Sequence, residues 1–63
     1  MNTLRYLSLP DLEAFYDLLA DAIDLVPPEK TELMLTKLAL LMANEVADIE
    51  KLKALLESAR QDL

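Results

Sequence analysis

The chain is 63 residues long, 54% hydrophobic, and carries twelve acidic against six basic side chains, a net charge of −6. So negative a surface repels phosphate backbones and anionic headgroups, which disfavours nucleic acid and membrane surfaces as partners. There is no Cys and no His, which removes disulfides, thiolate sites and the commonest metal ligand.

A chain of this size is at most one small domain, and its apolar content argues against intrinsic disorder. Burying about 6,000 Å² on folding, ~60% of it apolar, contributes ~90 kcal/mol at ~25 cal/mol per Å². Ordering the residues costs about 95 kcal/mol at ~1.5 kcal/mol each. The two cancel. Small chains in this position add a disulfide, a metal or an oligomeric interface, and only the last remains here. Residues 1–10 hold one Arg and no continuous apolar stretch, so no secretory signal is expected. The longest unbroken apolar run, residues 38–43, is far short of a membrane span. A cytoplasmic location is the expectation.

With no Gly, three Pro and abundant Leu, Ala, Glu and Lys, the chain reads as all-α. Residues 1–7 form a short lead-in whose Leu4, Tyr6 and Leu7 can pack back onto the helices. Ser8-Leu9-Pro10-Asp11 matches a Ser-x-x-acid cap with Pro in the first turn. The first helix is predicted over 9–26. Leu12, Phe15, Tyr16, Leu19, Ala22, Ile23 and Val26 recur at helical spacing, with Glu13, Asp17, Asp21 and Asp24 opposite. Val26-Pro27-Pro28 ends it, because the residue before a proline is driven out of the helical region. The short link predicts antiparallel neighbours.

The second helix is predicted over 28–47, with Glu29 and Glu32 in its first turn, where the helix dipole favours negative charge. Its apolar residues fall on two sides. Met34, Leu35, Leu38, Ala39, Leu41, Met42 and Val46 make one broad face. Leu33, Thr36, Leu40, Ala43 and Ala47 make a second line spaced 3, 4, 3, 4, the spacing of a packing seam. Lys37 and Asn44, one heptad apart, lie beside it. A small domain needs only one such face, so Leu33, Thr36, Lys37, Leu40, Ala43, Asn44 and Ala47 are the candidate interface. Asn44 sets register there or simply sits near a helix end, where a short polar side chain is at home. Glu45 falls just inside the broad apolar face.

Nothing in 45–49 forbids one long helix, but Asp48 is a good N-cap, and a break near 47–48 is favoured. The third helix, predicted over 49–62, is one-sided through Ile49, Leu52, Leu55, Leu56, Ala59 and Leu63. Glu50 with Lys53, Lys53 with Glu57, and Glu57 with Arg60 are spaced to pair on its outer side. The expected fold is three helices, an antiparallel hairpin plus a third, completed by oligomerisation.

No constellation reads as a catalytic, metal or cofactor site. The row Glu13, Asp17, Asp21, Asp24 could hold a cation, but without a ligating loop it reads as a solvated face; Glu45, Asp48 and Glu50 read as a cap with exposed acids. Ser8, Ser58, Thr3, Thr31 and Thr36 have no His to activate them. Acyl-carrier proteins are also small, acidic and helical, but their Asp-Ser-Leu attachment site is absent. Phe15-Tyr16 reads as core, with the Tyr16 hydroxyl at the rim, or as an interface edge.

Asp11-x-x-x-Phe15-Tyr16-x-x-Leu19-x-x-Ala22, Leu38-x-Leu40-Leu41-Met42-Ala43-Asn44-x-Val46-x-Asp48 and Leu52-x-Ala54-Leu55-x-x-x-Ala59-Arg60 together resemble a family of short bacterial proteins known only as a domain of unknown function. The resemblance spans nearly the whole chain, on a motif built largely of Leu and Ala. Members carry His or another polar residue where Glu45 stands, and Gly where Ala47 stands. No His role therefore carries over, and the Gly that would favour a break is missing. Members are encoded near oxidoreductases, flavin-dependent hydroxylases among them, which implies an accessory subunit. The expected function is a non-catalytic helical interaction module, a homodimer through the second helix. The alternatives are an accessory subunit docking on a larger enzyme and an acidic inhibitor or nucleic-acid mimic using the Glu13 to Asp24 face.

Overall fold

A computed structural model describes residues 6–61. Thr3, Leu4 and Leu63 lie outside that range, and the third helix, predicted to 62, stops at Arg60 because Gln61 is extended, with φ −78° and ψ 143°. The described residues form three α-helices, with no strand among them: α1 (Leu9–Leu25), α2 (Thr31–Val46) and α3 (Ile49–Arg60). A short 3-10 turn, Pro28–Lys30, precedes α2. The chain divides into two compact units, Met1–Thr31 and Glu32–Leu63.

In the first unit, Ser8 caps α1 as its spacing implies. Its backbone is extended, and its Oγ accepts a hydrogen bond from the Asp11 backbone N–H at 3.2 Å, satisfying one of the orphan donors of a helix start. The helix stops at Leu25, one residue before the predicted end. Val26 precedes Pro27 and is extended, with φ −107° and ψ 150°, because the proline ring clashes with a helical residue before it. The predicted start of the second helix at 28 also shifts. Residues 28–30 make a tighter turn, in which the Lys30 N–H donates to the Pro27 carbonyl at 2.8 Å, and α-helical geometry begins at Thr31.

A half-buried stripe runs along α1 and its C-cap: Phe15, Leu19, Ala22, Ile23 and Val26. Four expectations fail along or beside it, the first being Leu12, which belongs to the predicted apolar set but is 53% exposed. Tyr6 and Leu7 are exposed rather than packed back, and Tyr16 stands out in solvent while its neighbour Phe15 is half-covered. At about 100° per residue, Leu18 and Leu25 fall beyond the stripe on one side and Tyr16 and Leu9 beyond it on the other. All four are exposed.

In the second unit, α2 and α3 are separated by two residues. Ala47 has φ 57°, the left-handed region, and its N–H donates to the Ala43 carbonyl at 2.9 Å. This is a left-handed helix C-terminus with its single five-to-one bond, usually supplied by Gly. Asp48 then caps α3, its Oδ1 accepting from the Glu50 and Lys51 N–H groups at 3.1 and 3.2 Å. The break expected near 47–48 is present, and α2 ends at Val46 rather than at 47. Of the three pairs expected along α3, two form, Lys53–Glu50 at 3.6 Å and Arg60–Glu57 at 3.1 Å. Their side chains are well exposed, so they add little stability.

Candidate functional site

The candidate interface residues all lie in the second unit. Leu33, Thr36, Lys37, Leu40, Ala43 and Asn44 belong to α2, and Ala47 follows it in the left-handed turn. The helical part of the seam therefore ends at Ala43. Ala43 is half-buried, and the other six are exposed. Leu33 is 55% and Leu40 66% exposed, a large apolar area for two leucines one heptad apart on one side of a helix. Sixteen large apolar side chains are exposed among the described residues, and none is fully buried. Fully burying an exposed leucine is worth about 1.5–3 kcal/mol, so covering what remains exposed of Leu33 and Leu40 is worth about 1–2 kcal/mol each. That is the driving force available at this surface.

The surface is wider than the predicted seam. Leu41, assigned by periodicity to the broad face, is 67% exposed, and of that face only Met34 and Leu38 reach half burial. On α3, Leu52 alone is half-buried, while Ile49, Leu55 and Leu56 are exposed. Sequence periodicity shows which residues share a face but not how deeply a short helix is covered, so these were missed. The available signal was the size of the chain, too small to bury three apolar faces at once.

Lys37 is the one cation on α2. Its neighbours three and four residues away are Leu33, Met34, Leu40 and Leu41, so its own helix offers it no acid within reach. Neither ion pair found among the described residues involves it. Asn44 is exposed two residues before the end of α2, and Glu45 is exposed beside it.

No group of three or more acidic side chains converges to hold a metal ion among the described residues. Glu13, Asp17, Asp21 and Asp24 are all exposed along α1. Asp48 is occupied by its two cap bonds. Lys53, Ala54, Leu56, Glu57 and Arg60 line a shallow, open depression on α3, which has no enclosing wall to exclude water. Ser8 spends its oxygen on a backbone N–H, the cap role rather than that of a nucleophile. No helix among the described residues is long and apolar enough to cross a membrane.

A model of the family described as Protein of unknown function (DUF2783) matches residues 1–61. The chain is a DUF2783 protein. The match covers α1, α2 and α3 entire, so the exposed apolar surface lies wholly within the DUF2783 region. Comparison with curated proteins and with solved structures finds no match.

Proposed function

We propose that this DUF2783 protein is a non-catalytic helical interaction module that assembles as a homodimer through the seam of α2. One observation carries the reading: Leu33 and Leu40 are 55% and 66% exposed on a helix whose opposite side is also apolar. Covering them is favourable, and the chain has neither disulfide nor His to stabilise it otherwise. A cytoplasmic location, where a chain without Cys loses nothing, goes with this reading.

Light scattering behind a sizing column tests it. The expected result is twice the chain mass at tens of micromolar, and a mass near that of one chain for Leu40→Asp, which sets two carboxylates against each other at the seam. A well-folded wild-type monomer refutes the proposal, as does a Leu40→Asp chain that keeps the wild-type mass. The same surface would also serve an accessory subunit docking on a larger enzyme, an oxidoreductase by the resemblance noted above. The chain would then be aggregated or poorly ordered alone and become ordered on co-expression with that enzyme.

A further inference from the structure

The homodimer proposed above leaves open which way the two helices run, and the charges beside the seam decide it. Taking Leu33 and Leu40 as one set of core positions and Thr36 and Ala43 as the other, the residues flanking the seam follow. Lys37 and Asn44 lie along one side, and Glu32, Ala39 and Val46 along the other. Glu32, in the first turn of α2, and Lys37 are both exposed. Lys37 is ringed by Leu33, Met34, Leu40 and Leu41, with no acid on its own helix within reach.

In a parallel pair of helices, the flank that holds Glu32 faces the opposite flank of the second copy one turn further on. Glu32 then meets the partner's Lys37, and two-fold symmetry repeats the contact, giving two opposite-charge pairs per dimer. In an antiparallel pair, like flanks face each other. Lys37 then meets the partner's Lys37 or the partner's Asn44, and Glu32 meets only apolar residues. One orientation pairs every charge beside the seam, and the other pairs none. Charges at these positions set partner choice and orientation in helix pairs. A second copy of this chain in the parallel orientation would supply, through its Glu32, the acid that Lys37 lacks on its own helix.

We infer that the α2 seam closes as a parallel homodimer in which Glu32 of each copy pairs with the partner's Lys37. This rests on the homodimer reading. Its charge requirement is met within the chain's own sequence, despite a net charge of −6. The small residues Thr36 and Ala43 let the two backbones come close between the Leu33 and Leu40 layers.

Two measurements on the full chain test the orientation. The first is a charge exchange read as the dimer dissociation constant. Lys37→Glu alone is expected to weaken the dimer about three- to tenfold, and Glu32→Lys combined with Lys37→Glu to restore most of that loss. Both positions are exposed, and circular dichroism confirms that helix content is kept. The second uses the absence of native Cys. Leu33→Cys puts the two thiols side by side in a parallel dimer, and oxidation yields a covalent dimer on a non-reducing gel. In antiparallel registers centred near residues 38–40, the two positions are roughly 15–21 Å apart along the axis, at ~1.5 Å per residue, too far for a disulfide. A Leu33→Cys chain that keeps the dimer mass by light scattering yet forms no cross-link, or a wild-type dimer whose charge exchange is not rescued by the double variant, overturns the parallel pairing and leaves the homodimer standing. A wild-type monomer overturns both.

Discussion

Ala47 is the one described residue in the left-handed region, at φ 57°, and replacing it with glycine tests the second unit most directly. An L-residue in this region carries a steric penalty of roughly 1–2 kcal/mol, because its Cβ crowds the following carbonyl oxygen. Glycine carries none, but it makes the unfolded chain more disordered, at a cost of about 0.4–1 kcal/mol. The methyl group lost is exposed, and the bond from the residue 47 N–H to the Ala43 carbonyl, 2.9 Å long, is a backbone bond that glycine keeps. Ala47→Gly is therefore expected to stabilise by about 0.5–1 kcal/mol, which in a chain this short raises Tm by roughly 3–7 °C. The measurement is urea or thermal unfolding followed by circular dichroism, at concentrations where wild type and variant have the same assembly state. The sign decides the matter. Were residues 31–60 one continuous helix, a glycine at 47 would sit in its interior and destabilise by about 1 kcal/mol. A lower midpoint for Ala47→Gly therefore refutes the left-handed break. Ala47→Val supplies the opposite control, since a β-branched residue at positive φ is a marked outlier and is expected to destabilise.

Further outcomes follow from the caps and from the acidic face. Asp48→Ala removes the acceptor of two backbone N–H groups and should cost about 1 kcal/mol, seen as lost ellipticity and a lower unfolding midpoint; Asp48→Asn, which can still accept, should lose much less. Ser8→Ala, deleting the bond from the Asp11 N–H, is expected to cost a similar ~1 kcal/mol in the same assay. Asp17→Asn with Asp21→Asn alters an exposed face and should leave the mass by light scattering unchanged. An acidic inhibitor or nucleic-acid mimic would instead lose its binding with those two charges, so abolished capture of a partner by that variant would favour that reading over the seam.

The helices could be read from the sequence because each boundary has a local cause. Ser8 and Asp48 cap through their own side-chain oxygens, and Pro27 forces Val26 out of helical geometry whatever surrounds it. The 3-10 turn at Pro28–Lys30 was not readable, because a proline suits the first turn of either helix type. Nor did Ala47 announce itself. Alanine is the best helix former, and its left-handed conformation follows from Asp48 starting a new helix, not from any preference of its own. The candidate seam was readable as a spacing, Leu33 to Leu40 with Thr36 and Ala43 between. Its width was not, because Leu41 belongs by angle to a face that the chain covers only at Met34 and Leu38.

The one half-buried side chain of α3 has a consequence for assembly. Twelve residues capped by Asp48 fall at the length where an isolated helix is marginal in water, since nucleation costs more than a few turns return. Leu52 by itself gives it little anchorage, and its Ile49, Leu55 and Leu56 wait uncovered. Covering those three side chains would add to the stability of α3 itself, so its helix content would rise with any association that buries them. An interface formed there would bind less tightly than its contact area suggests and show a correspondingly larger heat-capacity change. At α3, helix stability and association would then be coupled rather than independent.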